Sequence, residues 1–243
     1  MFSIPLDFDG NLPLHSALSL GRSLDIIQAL VTAEPEALFR SNNGGYLPIH
    51  LALITQQPID IVQYLSTAAP DTLQMRDGQG RLPIHLSISF GAHEDTVKML
   101  VEADPDTLCM ECELNWCLPI HMYLKKSSLH TGFVKFLVEA APAGTLRTRD
   151  SNGNLPVHLA VCQQDHDIVK MLLAMDPESL KVYNGTRNLP IHLAVCEMDM
   201  GIAEILLRIA PETLKAVNKH GHLPLHLLLR NNNNVTLELV TIF

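Results

Sequence analysis

The 243-residue sequence predicts an all-α fold: a solenoid of seven stacked helix-turn-helix repeats with projecting, hairpin-like loops. Three observations predict it. The string LPxH returns seven times and places His15, His50, His85, His121, His158, His192 and His226 at steps of 35, 35, 36, 37, 34 and 34 residues. A second marker keeps the same beat: Pro35, Pro70, Pro105, Pro142, Pro177 and Pro211, followed by Leu38, Leu73, Leu108, Leu146, Leu180 and Leu214. The apolar content, 47% of the chain with only 5% aromatic, is mostly Leu, Ile, Val, Ala and Met, which suits helix packing better than a sheet sandwich.

The repeats fall at approximately 9–42, 43–77, 78–113, 114–150, 151–184, 185–218 and 219–243, the last incomplete. The first opens on GNLPLH (10–15), where Gly10-Asn11 signals a turn and Pro13 suits a first helical position. GYLPIH (45–50) and GRLPIH (80–85) open the second and third in the same way. The fourth opens on WCLPIH (116–121) and carries one extra residue in APAGTL (141–146). It also has Tyr123 where the others have Ala17, Ala52, Ser87, Ala160 and Ala194, two residues after the histidine and at the closest approach of first helices. A local distortion is expected there.

The fifth repeat shows the unit most fully. GNLPVH (153–158) starts a first helix near Pro156, and Gln164-Asp165-His166 breaks it. DIVKMLLAM (167–175) makes a second helix with apolar residues at 168, 169, 172 and 173. Pro177 is expected to end helical structure, and the polar stretch 179–188 turns at Asn184-Gly185. RNLPIH (187–192) and GHLPLH (221–226) open the last two repeats, and Thr236–Val240 begins a final second helix that reaches Phe243 with no polar cap. That ending reads as part of a longer array or as an unusual cap. A helix pair this short cannot bury its apolar face alone, so each repeat must lean on its neighbours.

These motifs resemble the ankyrin repeat family. LPLH at 12–15 and 223–226, LPIH at 47–50, 82–85, 118–121 and 189–192, and LPVH at 155–158 are similar to the family's TPLH box. IVQYLS (61–66) and IVKMLL (168–173) are similar to its second-helix pattern, and the resemblance runs over residues 9–243. It implies an ankyrin-type solenoid that binds proteins. Two departures stand out: Leu replaces Thr in every box, and each repeat exceeds the usual ~33 residues. Loss of a Thr cap costs about 1 kcal/mol per repeat, so Leu is expected to contribute by packing in the stack. In these features the chain resembles the LPLH-type variant arrays of diatoms and related unicellular eukaryotes.

Composition narrows the function. A net charge of −9 argues against a nucleic-acid binder taken whole. No apolar run has the 18 or so residues of a membrane span, and MFSIPLDFDGNL lacks the form of a secretion signal, which fits a cytoplasmic or nuclear protein. Five cysteines are too few and too irregular for a secreted disulfide scaffold and read as free thiols. No nucleophile elbow, phosphate loop or HExxH motif is present, so the expectation is no enzyme, no catalytic residue and no cofactor. Cys109, Cys112, Cys117 and His121 have a spacing that zinc can use. One CxxC is a weak signal and His121 already belongs to the repeat, so no metal is assigned. The repeated histidines are assigned structural roles, their ring nitrogens bonding turn backbone or a neighbouring repeat.

The expected work is recognition on a concave face of loops and first helices. The loops 39–46, 74–81, 109–117, 147–154, 181–188 and 215–222 carry nine Lys or Arg and four acids, whereas acids gather at Glu34/Glu36, Asp104/Asp106 and Asp176/Glu178. This predicts a two-faced charge distribution and a protein partner with an acidic segment. The candidate contact residues are Arg40, Tyr46, Arg76, Arg81, Phe90, Trp116, Arg147, Arg149, Tyr183, Arg187 and Lys219. Positions five or six after the histidine, such as Thr55, Gln56, Gln163, Gln164, Glu197 and Met198, vary while the frame repeats. An architectural or regulatory spacer role in a larger protein is the alternative; binding of an anionic ligand or nucleic acid through the basic loops ranks below both.

Overall fold

The structure, a computed structural model, describes residues 7–113 and 116–231. The expected final helix at 236–240 lies outside them. The described residues form helices and one-turn 3-10 helices without strands, so the all-α expectation holds. They divide into two units, one taking the described residues up to 122 with Ala140–Pro142, the other Tyr123–Glu139 and the described residues from 143.

In the first unit, α1 (Pro13–Ser19), α3 (Pro48–Ile54) and α5 (Pro83–Ser89) are first helices stacked on one another. Behind them lie α2 (Leu24–Ala33), α4 (Ile59–Ala68) and α6 (Glu94–Ala103). The unit boundary falls inside α7 (Pro119–Leu124). The second unit holds α8 (Thr131–Ala140, of which Ala140 belongs to the first), α9 (Pro156–Cys162), α10 (His166–Met175), α11 (Pro190–Cys196), α12 (Met200–Ile209) and α13 (Pro224–Asn231). There α9, α11 and α13 stack as first helices, with α10 against α12. Ala52, Ser87, Ala160 and Ala194 are fully buried, as close first-helix packing requires.

The histidine explains how helices this short start cleanly. In all seven boxes, the Leu at the helix N-cap donates its backbone N–H to Nδ1 of the histidine three residues on, at 3.0–3.2 Å. This is the returning half of a capping box, made by an imidazole where Glu or Gln usually serves. The cap leucines Leu12, Leu47, Leu82, Leu118, Leu155 and Leu189 are themselves buried. Burying a Leu side chain contributes roughly 1.5–3 kcal/mol, more than the Thr cap it replaces.

Two expectations require correction. Proline does not end helical structure after the second helix; it starts a further 3-10 turn, as in Pro70–Gln74 and Pro177–Lys181. Proline's fixed φ and missing donor suit a first helical position. A Thr or Ser two residues on then ties the turn back: Thr72 Oγ1 donates to the Ala69 carbonyl at 2.6 Å and Ser179 Oγ to that of Asp176 at 2.6 Å. The loops, for their part, are hairpin-like only in outline. They close through two backbone bonds each, such as Asp77 N–H to the Arg81 carbonyl (2.9 Å) and Gly80 N–H to the Asp77 carbonyl (3.0 Å), and Cys112 and Cys117 alone form an isolated antiparallel bridge among the described residues.

The fourth repeat is irregular, as its sequence predicts. Its 3-10 turn shrinks to Thr145–Arg147 behind Gly144, whose φ of 94° absorbs the extra residue. Tyr123 is buried, its ring 4.8 Å from that of Phe133, and its hydroxyl accepts the His130 N–H at 3.3 Å. A ring therefore fills the place that a methyl group takes elsewhere.

Candidate functional site

The loops are built on a device the LPxH pattern does not reveal. Asp7, Asn42, Asp77, Asp150, Asn184 and Asn218 each stand eight residues before the repeated histidine. One side-chain oxygen of each accepts the N–H groups two and four residues on, for Asp77 those of Gln79 and Arg81, both at 2.9 Å. These are Asx turns, which fix a short loop from inside. The signal was present in the sequence as Asp or Asn at a constant offset.

Neighbouring loops within a unit then touch backbone to backbone. Gly185 N–H donates to the Asn152 carbonyl at 2.9 Å, and Glu113 N–H to that of Gly80 at 3.1 Å. Gly153 has φ 72°, and a Cβ on it would lie 2.5 Å from Gly185 N. Only glycine fits both requirements.

Two of the histidine rings carry the frame to the next repeat. His15 Nε2 lies 3.1 Å from the Tyr46 carbonyl, and His50 Nε2 3.1 Å from that of Met75. Because Nδ1 accepts a backbone N–H, the ring proton sits on Nε2 and donates to these oxygens. Burial pushes the His50, His85 and His158 rings down to about 4, and lowers His15 and His192 as well. Such rings are neutral at physiological pH and tied through Nδ1 to their helix starts, whereas Nε2 of His85, His158 and His192 is buried without a hydrogen-bond partner.

Several of the predicted contact residues turn inward to brace the loops. Arg76 Nη1 donates to the carbonyls of Gly80 and Glu111, each at 2.7 Å, and Arg149 does the same to those of Gly153 and Tyr183. Arg81 grips the buried Asp77 carboxylate at 2.8 Å. Burial works to raise that carboxyl, but the Arg81 N–H, the Arg81 guanidinium and the Gln79 N–H outweigh it and hold it below the usual range. Tyr46 is half-buried, its ring packed against the core.

The remaining candidates face outward. Trp116 is 60% exposed and Phe90 38%. Trp116 borders an open pocket of about 510 Å³ shared with Arg76, Cys109, Glu111 and Glu113. Arg187 extends over the Tyr183 ring at 5.8 Å, and Lys219 is exposed. A groove of about 450 Å³, lined by Gln56, Gln57, Ile59, Gly91, His93 and Asp95, runs between the helix–helix turns of the second and third repeats.

The two-faced charge pattern is not what these contacts make. The 3-10 turns and the stacking of neighbouring repeats bring acids at the second-helix ends onto loop cations. Arg147 binds Asp176 with two bonds of 3.0 and 2.8 Å, Arg40 lies 3.4 Å from Glu34, and Lys181 bridges Glu178 and Glu212 at 3.1 and 3.3 Å. Much of the loop charge is therefore met within the chain.

The zinc spacing is likewise spent elsewhere. His121 Nδ1 accepts the Leu118 N–H at 3.2 Å, and Cys109 donates to the Asp106 carbonyl. Among the described residues no three His, Cys, Asp or Glu gather as a ligand set. Asp165, in the charged turn Asp165-His166-Asp167, is a helix N-cap that accepts the N–H groups of Asp167 and Ile168 at 3.1 and 2.9 Å. No described helix is long and apolar enough to cross a membrane.

Comparison with known proteins agrees with this frame. Residues 84–184 match the family model for ankyrin repeats, in three copies. No curated protein matches the sequence significantly. Among solved structures, the chain is similar to the ankyrin repeat domain of Bcl-3, described as a unique member of the IkappaB protein family. The TM-score is 0.75 at 22% identity, over 96% of this chain and 98% of that one. The resemblance to ankyrin repeats is thus shown by sequence across the middle of the chain and by fold across nearly all of it.

Proposed function

We propose that this ankyrin-type chain is a non-catalytic protein-binding module that meets its partner through loop tips and first-helix ends. One observation carries the reading. The Leu, Pro and His of each box are nearly constant and mostly buried, whereas Thr55, Gln56, Phe90, Gln163, Gln164, Glu197 and Met198 are exposed and differ from repeat to repeat. A rigid frame that varies only its outer positions is suited to recognition by many shallow contacts.

Trp116 and Phe90 are the aromatic anchors of this reading, with Tyr183 and Arg187 as a second patch. Arg187 and Lys219, exposed and outside the ion pairs described above, supply positive charge toward an acidic segment of the partner. Crosslinking and capture from the source cell, with wild type beside Trp116→Ala and Phe90→Ala, tests the proposal. Binding that falls at least about tenfold with unchanged thermal stability supports it, a loss typical of a hot-spot aromatic. A captured protein held equally well by both variants and by wild type refutes this face.

A further inference from the structure

We propose that Cys112 and Cys117 form a reversible disulfide that closes the loop of the fourth repeat. Seven residues after Pro35, Pro70, Pro177 and Pro211 an Asp or Asn side chain closes the loop, and Cys112 takes that place after Pro105. A cysteine sulfur cannot hold two N–H groups as a carboxylate or amide oxygen does. The fourth loop keeps only the backbone bonds that the other loops also make, from Cys112 N–H to the Cys117 carbonyl at 3.0 Å and from Trp116 N–H to the Cys112 carbonyl at 2.9 Å. These bonds set Cys112 and Cys117 directly opposite each other in an antiparallel bridge.

Opposed residues in antiparallel pairing have Cα atoms about 4.5–5.5 Å apart. That spacing lies inside the roughly 4.4–6.8 Å that a disulfide spans. Both residues are buried, so exchange with a small disulfide or thiol takes place when this short loop opens. Cys109 is exposed at the end of a 3-10 turn and has no such opposed partner in the bridge.

The oxidant is a low-molecular-weight disulfide. One cysteine thiolate attacks it and expels one small thiol, leaving a mixed disulfide on the protein. The second cysteine thiolate then attacks the protein-side sulfur and expels the second small thiol. The protein loses two hydrogens and two electrons, and the reagent gains them as two thiols.

The test equilibrates the full chain in glutathione buffers of rising oxidised fraction, traps thiols with iodoacetamide, and maps the products by mass spectrometry. The expected result is joint protection of Cys112 and Cys117, with loss of the mass of two hydrogens. Trp116, the chain's single tryptophan, lies beside the bond, so its emission falls in step. Closing the loop raises the folded-to-unfolded ratio by roughly 40-fold. Cys109→Ser retains the bond, and Cys117→Ser abolishes it. Alkylation of both residues in the most oxidising buffer, glutathione left on either one, or a bond to Cys109 would overturn the proposal. Should Cys117→Ser fail to fold, wild type and Cys109→Ser decide it alone.

Discussion

Acidification from about pH 7.5 to about pH 5 should destabilise this chain through its repeated histidines, by an amount the structure fixes. In His50, His85 and His158 the Nδ1 lone pair accepts the cap N–H, and burial depresses each ring from 6.5 to about 4. The charged groups around them are Asp77 and Arg81 for His50, Arg76 and Asp77 for His85, and Arg149 and Asp150 for His158. The unfolded chain therefore binds more protons than the native one between pH 6.5 and about 4. Stability is complete above pH 6.5 and is lost as pH falls toward 4. At about pH 5 each ring costs about 2 kcal/mol, and the three together roughly 6 kcal/mol, comparable with the whole stability of many domains.

Burial works to raise the Asp77 and Asp150 carboxyls, but their hydrogen bonds prevail and lower them, so they act below pH 3.8, outside this window. Relief of the net negative charge on acidification acts the other way, so the sign of the effect separates the two causes. Urea unfolding followed by far-UV circular dichroism at the two pH values measures it. His158→Gln should be less stable at neutral pH yet lose about 2 kcal/mol less on acidification. Equal losses on acidification for wild type and His158→Gln would show that the ring is not held neutral, and the account of the helix starts would fall.

Two substitutions test the backbone. Gly153→Ala places a Cβ 2.5 Å from Gly185 N at a φ of 72°, and should cost about 2–3 kcal/mol by strain and loop displacement, read as a lowered urea midpoint. Met198 holds φ 60° where Gly21 and Gly91 stand in other repeats. Met198→Gly should stabilise by about 0.5–1 kcal/mol because left-handed backbone is strained for any side chain with a Cβ. A lower melting temperature for that variant would contradict the assignment.

The frame was legible because it repeats. A Pro-to-His spacing of two residues, recurring every 34–37 residues, left the helix starts little freedom, and the alanines marked the packed faces correctly. Tyr123 was recognisable as a misfit from its size alone. The Asx turns were also written in the sequence, but Asp and Asn share the position and Glu113 interrupts the series. What linear reading missed was proximity across the 3-10 turn. Glu34 and Arg40 look like separate charges until the proline turn folds one beside the other, and Asp176 and Arg147 until neighbouring repeats stack. The same holds for Arg76 and Arg149, whose inward reach depends on a carbonyl 34 or 35 residues away.

The imidazole that starts one helix also donates to the loop that precedes the next first helix, as His15 does to Tyr46 and His50 to Met75. Such a chain can be lengthened or shortened only by splicing at matching points of the period. A deletion from one loop tip to the next leaves the His15 and His50 rings an equivalent oxygen, whereas one ending mid-helix removes it. Gene duplication would meet the same rule, which favours inheritance of intact modules over gradual drift in their length.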